Sequence, residues 1–346
     1  MEMTNTGASL FDTEALRPFD LLLPPVMYAV VGHEMNVYFD NLIAGESSRY
    51  DFDVHCPIGR HRNDRWSCVA EQPGDYPLDI EVYAEDGGLL ASARTTVRVK
   101  PAESASGPGR RMLFIGDSTT AAGHYTAELL RLFAVDTASL ELFGTKGVAA
   151  NRHEGRGGWK VSDYYEREES PFLFEGRFDF ARYMEQNGYA GLTDVCIHLG
   201  INDVYPWTDD AAVKSLLARS MPMLETIIAD IQQYASSIRI GILLAIPPSR
   251  TQDSFGKSYG AGQSRRRYRR NWMLWNRELL HRFADRPGIE LVPTHVNLDS
   301  ARNMPIETVA GNARNDRLET CQSNGVHPAV EGYKQMADVL YAWLKA

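Results

Sequence analysis

The chain lacks most of the features that would place it outside the ordinary globular class. No stretch approaches the ~20 consecutive apolar residues that cross a bilayer. The best window, Ile238 to Ile246, is short and stops at Pro247-Pro248, so it is read as a buried strand and no membrane partner is expected. Basic charge is in deficit: 36 Lys and Arg against 45 Asp and Glu leave a formal net charge of −9. Such a field repels polyanions, so no nucleic-acid partner is expected. Cysteine is scarce, four in 346 residues, which excludes a disulfide scaffold. Cys196 sits in an apolar run as a small core residue. Cys56 and Cys68 are close enough in sequence to bridge neighbouring strands, but nothing marks an oxidising compartment. No cysteine pair has metal-ligand spacing, and His55 and His61 match no zinc pattern and are read as surface residues. The N-terminus carries early acids and no basic segment followed by an apolar core. The expectation is a cytoplasmic protein, or an exported one whose signal lies outside this sequence.

What is present falls into two halves with different grammar, as the length predicts, since single cores stop growing near ~250 residues. From about Leu21 to Val99, short segments rich in β-branched and aromatic residues alternate with Gly, Asn, Asp and Pro. The segments are Met27 to Phe39, Tyr50 to Val54, Arg65 to Val69, Tyr76 to Tyr83 and Ala91 to Val99. Leu78, Ile80, Val82 and then Thr95, Val97, Val99 show period two. The pattern predicts a small all-β sandwich of immunoglobulin-like kind. Lys100 to Arg111 is small, polar and Pro/Gly-containing, as a linker is. The division is placed there: residues 1–104 form the β domain, with an extended stretch expected over its first ~20 residues, and residues 105–346 form the second domain.

In the second half, short apolar strands alternate with helical patterns: Met112 to Ile115, Leu140 to Phe143, Asp194 to Leu199, Ile238 to Ile246 and Ile289 to Val292. That is the signature of an α/β fold, a three-layer α/β/α sandwich around a parallel sheet. Tyr333, Met336, Ala337, Leu340, Trp343 and Leu344 make one apolar face of a last helix. The basic run Arg265, Arg266, Arg267, Arg269 and Arg270 is read as the solvated start of another helix.

Ligands of open parallel sheets bind beyond the carboxyl ends of the strands, which directs attention to four loops. Gly116-Asp117-Ser118 follows the first strand of this half and projects a hydroxyl over the sheet edge, although the tripeptide alone is equally a turn with a capping serine. Gly200-Ile201-Asn202-Asp203 ends the third strand and aims an amide N–H at the same mouth. Asn324-Gly325-Val326-His327-Pro328 presents a histidine just before the last helix. His153 to Trp159 is a Gly-rich loop whose backbone N–H groups approach a ligand closely.

These four blocks, in this order, resemble those of the SGNH (GDSL-type) hydrolases over roughly Met112 to Ala346. The resemblance implies a flavodoxin-like parallel sheet, Ser118 as nucleophile, His327 as general base, and an oxyanion hole made of Ser118, Gly158 and Asn202. The segment from Leu23-Pro24-Pro25 to Tyr38-Phe39-Asp40-Asn41 also resembles the β domain of some multidomain, carbohydrate-acetylesterase-like members. The family's last block reads Asp-x-x-His, whereas Asn324 stands three residues before His327 here. An amide that loses the imidazole tautomer costs about 10⁴ in rate. Three readings remain open: Asn324 accepts the ring Nδ1–H, a backbone carbonyl does so, or another acid such as Asp316 or Glu319 takes the role. Trp159 and Trp207 flank two of the loops and either stack on a sugar or pack. Asp203 is read as a brace, His198 as structural, and His153 and His295 stay unassigned.

The activity implied is a serine esterase releasing short acyl groups, O-acetyl first, from a small-molecule or carbohydrate ester, with no metal and no organic cofactor. A short-chain carboxylester or thioester hydrolase is the alternative within enzymes. A decayed, carbohydrate-binding or structural relative is the alternative outside them.

Overall fold

Period-two alternation in the first hundred residues builds seven strands. In the computed structural model, which describes residues 15–103, 109–136, 138–257 and 262–345, these are β1 Val26–Val30, β2 Glu34–Tyr38, β3 Asp51–His55, β4 Arg60–His61, β5 Arg65–Val69, β6 Gly74–Tyr83 and β7 Leu89–Lys100. Leu78, Ile80 and Val82 are fully buried on one side of β6, while the intervening Asp79, Glu81 and Tyr83 are only partly covered. The strands form two sheets, β1-β7-β6-β3 and β2-β5-β4, which enclose one apolar core with Met27, Val37, Trp66, Ile80 and Val97. With the strands lettered A to G, the second sheet is B-E-D and the first contains C-F-G, the immunoglobulin arrangement, with strand A moved beside G. There β1 runs parallel to β7, whereas the other pairs are antiparallel.

One expectation needs correction. Met27 to Phe39 is not a single strand: Gly32, at φ +79°, turns the chain between β1 and β2, which lie in different sheets. A side chain at that φ is strained, so glycine marks the corner.

The second half contains β8 Arg110–Gly116, α1 Ser118–Ala121, α2 His124–Ala134, β9 Leu140–Phe143, β10 Lys146–Val148, β11 Asn151–Gly155, α3 Val161–Glu166, β12 Leu173–Phe174, β13 Arg177–Phe178 and α4 Phe180–Gln186. It continues with β14 Asp194–His198, α5 Ile201–Val204, α6 Asp210–Tyr234, β15 Arg239–Leu243, α7 Asp253–Lys257, α8 Arg265–Phe283, β16 Ile289–Val292, β17 Ile306–Asn312, β18 Asn315–Gln322 and α9 Val330–Leu344. β9, β8, β14, β15 and β16 pair in parallel, giving the order 2-1-3-4-5 of flavodoxin-like sheets. β11 joins in parallel beside the carboxyl end of β8, through Ile115↔Glu154 and Gly116↔Gly155. Helix α2 packs on α9, and α6 packs on α3, α4 and α8, so two groups of helices cover the sheet. No helix among the described residues is long and apolar enough to cross a membrane.

The strand order reverses between β8 and β14. At such a switch point the following connections leave on opposite faces and open a crevice, so the loops after β8 and β14 are where a ligand site is built.

Of the basic run, Arg266 alone is exposed. The run does start a helix, α8, capped by the Ser264 hydroxyl accepting the N–H of Arg267. Arg265 and Arg269 are nonetheless buried, and Arg267 and Arg270 share Asp210. Arg269 donates to the carbonyls of Asp40 and Ile43, and Arg265 pairs with Glu46, all three partners lying in the β region. Acids far away in sequence neutralise these guanidiniums, which no local pattern announces. Asn41 adds bonds to the carbonyls of His295 (2.8 Å) and Leu298 (2.7 Å). The division expected at residue 104 falls within residues 104–108, outside the described residues. All four cysteines are free thiols.

Candidate active site

The site begins with β8. Met112 to Ile115 are essentially fully buried, so the strand is pinned between the helical layers and delivers Gly116-Asp117-Ser118 to the sheet edge at the switch point. Asp117 caps α1, accepting the Thr119 N–H at 2.9 Å and the Thr119 hydroxyl at 2.7 Å. That hydroxyl has given its one proton to Asp117, so its 3.0 Å contact with His198 is one it accepts from Nδ1–H. Burial pushes the Asp117 carboxyl up to about 6 and His198 down to about 4. His198 is thus a neutral, buried brace beneath the loop, as the sequence reading had it. Ser118 follows as the first residue of α1, half-exposed above this floor.

His327 comes from the opposite side of the crevice, in the loop between β18 and α9. Its Nε2 lies 2.6 Å from Ser118 Oγ, the distance of a strong hydrogen bond between residues 209 positions apart. Asn324 is one candidate for orienting the imidazole. In the structure its Oδ1 accepts the backbone N–H groups of Val326 (3.1 Å) and His327 (2.9 Å), so it shapes the turn beneath the ring. Asp316 and Glu319, the other acids considered, are exposed on the β17–β18 hairpin.

Burial lowers the pKa of His327 from 6.5. Only neutral imidazole takes a proton from serine, so activity should fall as pH drops through a value below 6.5 and be level above neutrality. A kcat/KM profile on p-nitrophenyl acetate checks this. A profile flat through acid pH would remove His327 as the base.

Two of the expected oxyanion groups border the same place. Arg156-Gly157-Gly158-Trp159 forms a turn closed by the Trp159 N–H on the Arg156 carbonyl (3.3 Å), with Gly158 at φ +79°, where a type II turn calls for glycine. The N–H groups of Gly157 and Gly158 enter no hydrogen bond among the described residues. Asn202 lies in α5, just past β14, and one of its two amide hydrogens goes to the Trp159 carbonyl at 3.0 Å. The second enters no hydrogen bond among the described residues. His153, Glu154 and Gly155, expected in the loop, belong instead to β11. Gly155 lets that strand press on α1, since a Cβ there would lie 2.4 Å from the Ala121 nitrogen. His153 is buried, and its Nδ1 accepts the Gly155 N–H at 3.0 Å.

Several residues sort differently from their sequence reading or were missed by it. Trp159 is no stacking platform: it is buried against Tyr164, with the guanidiniums of Arg156 and Arg167 at 4.9 and 5.2 Å from its ring centre. Trp207 is half-buried and donates to the Asp203 carbonyl at 2.8 Å. Asp203 braces loops as expected, accepting the Val161 N–H at 3.3 Å, and burial pushes its carboxyl up to about 7. His295 is buried at the seam between the two regions, beside the Leu22 carbonyl. The missed element is a clamp. Buried Glu154 pairs with Arg156 at 2.5 Å and accepts the Tyr183 hydroxyl at 2.8 Å, while the carbonyls of Gly116 and Glu154 both lie within reach of the single Tyr164 hydroxyl proton. Nothing in Glu-Gly-Arg as a string distinguishes this pair from a surface one. Among the described residues, Asp53, His55 and Glu81 bring donor atoms near enough to share a cation, on the outer face of the β region and apart from this crevice.

The arrangement is a hydroxyl held by an imidazole at the rim of a parallel sheet, with amide donors from two further loops. Among solved structures, a family 3 carbohydrate esterase of Clostridium thermocellum is 15% identical, with 67% of this chain and 94% of that one covered at a TM-score of 0.43. A carbohydrate acetylesterase from Sinorhizobium meliloti is 12% identical (68% and 98% covered, TM-score 0.40). An inhibitor-bound aryl esterase of M. smegmatis has the same identity, coverage and score. No curated protein matches the chain. The family model of the GDSL-like lipases and acylhydrolases matches residues 114–335, from β8 into α9 and across every loop described above. The chain belongs to the GDSL-like lipase/acylhydrolase family.

Proposed function

We propose that the protein is a serine esterase that removes short acyl groups, acetyl first, from a carbohydrate or another small polar alcohol. The observation that carries the reading is the 2.6 Å contact between Ser118 Oγ and His327 Nε2. A fold kept only for binding has no need of a serine hydroxyl held by a neutral imidazole between amide donors.

In the proposed reaction His327 takes the proton of Ser118 as Oγ attacks the ester carbonyl. The tetrahedral oxyanion is held by the N–H groups of Ser118 and Gly158 and the free amide hydrogen of Asn202. Collapse breaks the bond to the alcohol oxygen, which receives the proton from His327. Water then gives a proton to His327 and attacks the acyl-enzyme, releasing the acid and returning the proton to Ser118. The substitution of Asn324 for an acid fits a Ser-His pair whose loop is set by main-chain hydrogen bonds.

Support for a short acyl group and a polar alcohol comes from the rim. Arg156, Asn202 and Asn324 are polar, and Gly157 and Gly158 contribute no apolar surface. Along a p-nitrophenyl ester series, kcat/KM should be highest for acetate and at least about tenfold lower for octanoate. Acetylated oligosaccharides should release acetate. Rates that rise with chain length would overturn the short-acyl reading, and acetyl thioesters outpacing acetyl sugars would favour a thioesterase.

A further inference from the structure

We infer that the N-terminal β region is part of the catalytic apparatus, because the ion pair of Glu46 with Arg265 holds the loop that presents His327. The inference rests on the reading of Ser118 and His327 as nucleophile and base.

His327 stands in a stretch without regular structure, so neighbouring loops must fix its position. One such tie is the Ser249 N–H, which donates to the Gly325 carbonyl at 3.0 Å, two residues before His327. Ser249 is fully buried just past Pro247-Pro248 at the exit of β15, and its own carbonyl accepts Arg265 Nε at 3.1 Å. Arg265 is the first residue of α8 and is 8% exposed. Its guanidinium pairs with the carboxylate of Glu46, which lies in the β region between β2 and β3. The path from Glu46 to Arg265, Ser249, Gly325 and His327 therefore crosses the seam and ends on the base.

The energetics favour a positioning role over general cohesion. Other bonds hold the two regions together: Asn41 on the carbonyls of His295 and Leu298, and Arg269 on those of Asp40 and Ile43. Removing the Glu46 carboxylate leaves these intact but strips a buried guanidinium of its counter-charge, a state strongly disfavoured in a low dielectric. Arg265 then turns towards water and releases the Ser249 carbonyl. The Ser249–Gly325 bridge loosens, and the Ser118–His327 contact lengthens. A displacement of about 1 Å at reacting groups costs up to about 10²-fold. Glu46 and Arg265 are accordingly positioning residues.

The test uses the full chain and p-nitrophenyl acetate, measuring kcat, KM, the pH profile and Tm for wild type, E46Q, R265K, the double variant, D64N and S118A. E46Q and R265K should each lower kcat about tenfold with KM within about twofold, and the double variant should be no worse than the poorer single one, because one path is broken once. The acid limb should move up towards 6.5, since a loosened loop exposes His327. D64N removes a different seam pair, Asp64 with Arg302 at 3.1 Å, and should match wild type. If R265K fails to fold, E46Q decides, its side chain being 39% exposed. Wild-type kcat and pH profile in folded E46Q overturn the inference, as does a loss that merely follows Tm. Retained activity in S118A would instead overturn the Ser-His reading itself.

Discussion

Ser118→Ala should lower kcat on p-nitrophenyl acetate by ~10⁴- to 10⁶-fold while leaving the fold in place. The magnitude follows from the geometry. Ser118 Oγ is the only atom removed, and it is the atom that His327 Nε2 approaches at 2.6 Å. Without it no acyl-enzyme forms, and the remaining amide donors polarise an ester with nothing to attack it but water. Ser118 is half-exposed at the first position of a four-residue helix whose capping is supplied by Asp117. Alanine is therefore tolerated there, and Tm should move by no more than a few degrees. Steady-state kinetics, together with loss of labelling by a fluorophosphonate, measures the effect. A variant that keeps more than about a tenth of wild-type kcat would exclude Ser118 as nucleophile, because the background reaction cannot supply that rate.

Gly200→Ala should have the largest effect on stability of any single methyl added near the site, above about 3 kcal/mol. Gly200 sits at φ +122°, where a side chain is strained, and turns the chain from β14 into α5. A Cβ there would lie 2.1 Å from Nε1 and 2.2 Å from Cε2 of Trp275. Trp275 is 1% exposed within α8, so the indole has no empty volume to move into. Both backbone strain and overpacking contribute, and relief of either displaces Asn202 two residues later. If Asn202 is the donor proposed above, its displacement should by itself lower kcat by about 10²- to 10³-fold. Gly158 is the control: its φ is +79°, but nothing lies within 4 Å of an added Cβ, so Gly158→Ala should cost only the strain, about 1–3 kcal/mol. Urea unfolding of both variants separates the two. Equal midpoints would show that Trp275 yields.

How much of this was legible in the chain depends on the distance over which a residue acts. Asp194 to Leu199 could be read as a buried strand because burial on both faces writes itself as a continuous apolar run, and β14 follows it. Ser118, Asn202 and His327 could be singled out because each sits where a strand or helix ends at the ligand-binding edge. Gly32, by contrast, was hidden inside an unbroken β-like pattern, since a corner between two sheets needs only one residue at positive φ. Trp159 looks the same in sequence whether it stacks on a sugar or beneath two guanidiniums. The helix start at Arg265 was readable from local composition, whereas its burial was not, because Glu46 lies 219 positions away.

The chain alone carries the α/β/α fold behind a β-sandwich and the four loops at the sheet edge, while the roles expected of Ser118, His327 and Asn202 come from the family resemblance of those loops. The fold and the loops follow from periodicity and from residues that only a turn or a site requires, and both are local. Only the folded chain shows that His327 reaches Ser118 at 2.6 Å, that Asn324 bonds the main chain beside it, and that Glu46 of the β region pairs with Arg265. The reason is physical: contact distances and charge compensation depend on groups the chain brings together only when its layers close, and no local pattern encodes which partner arrives.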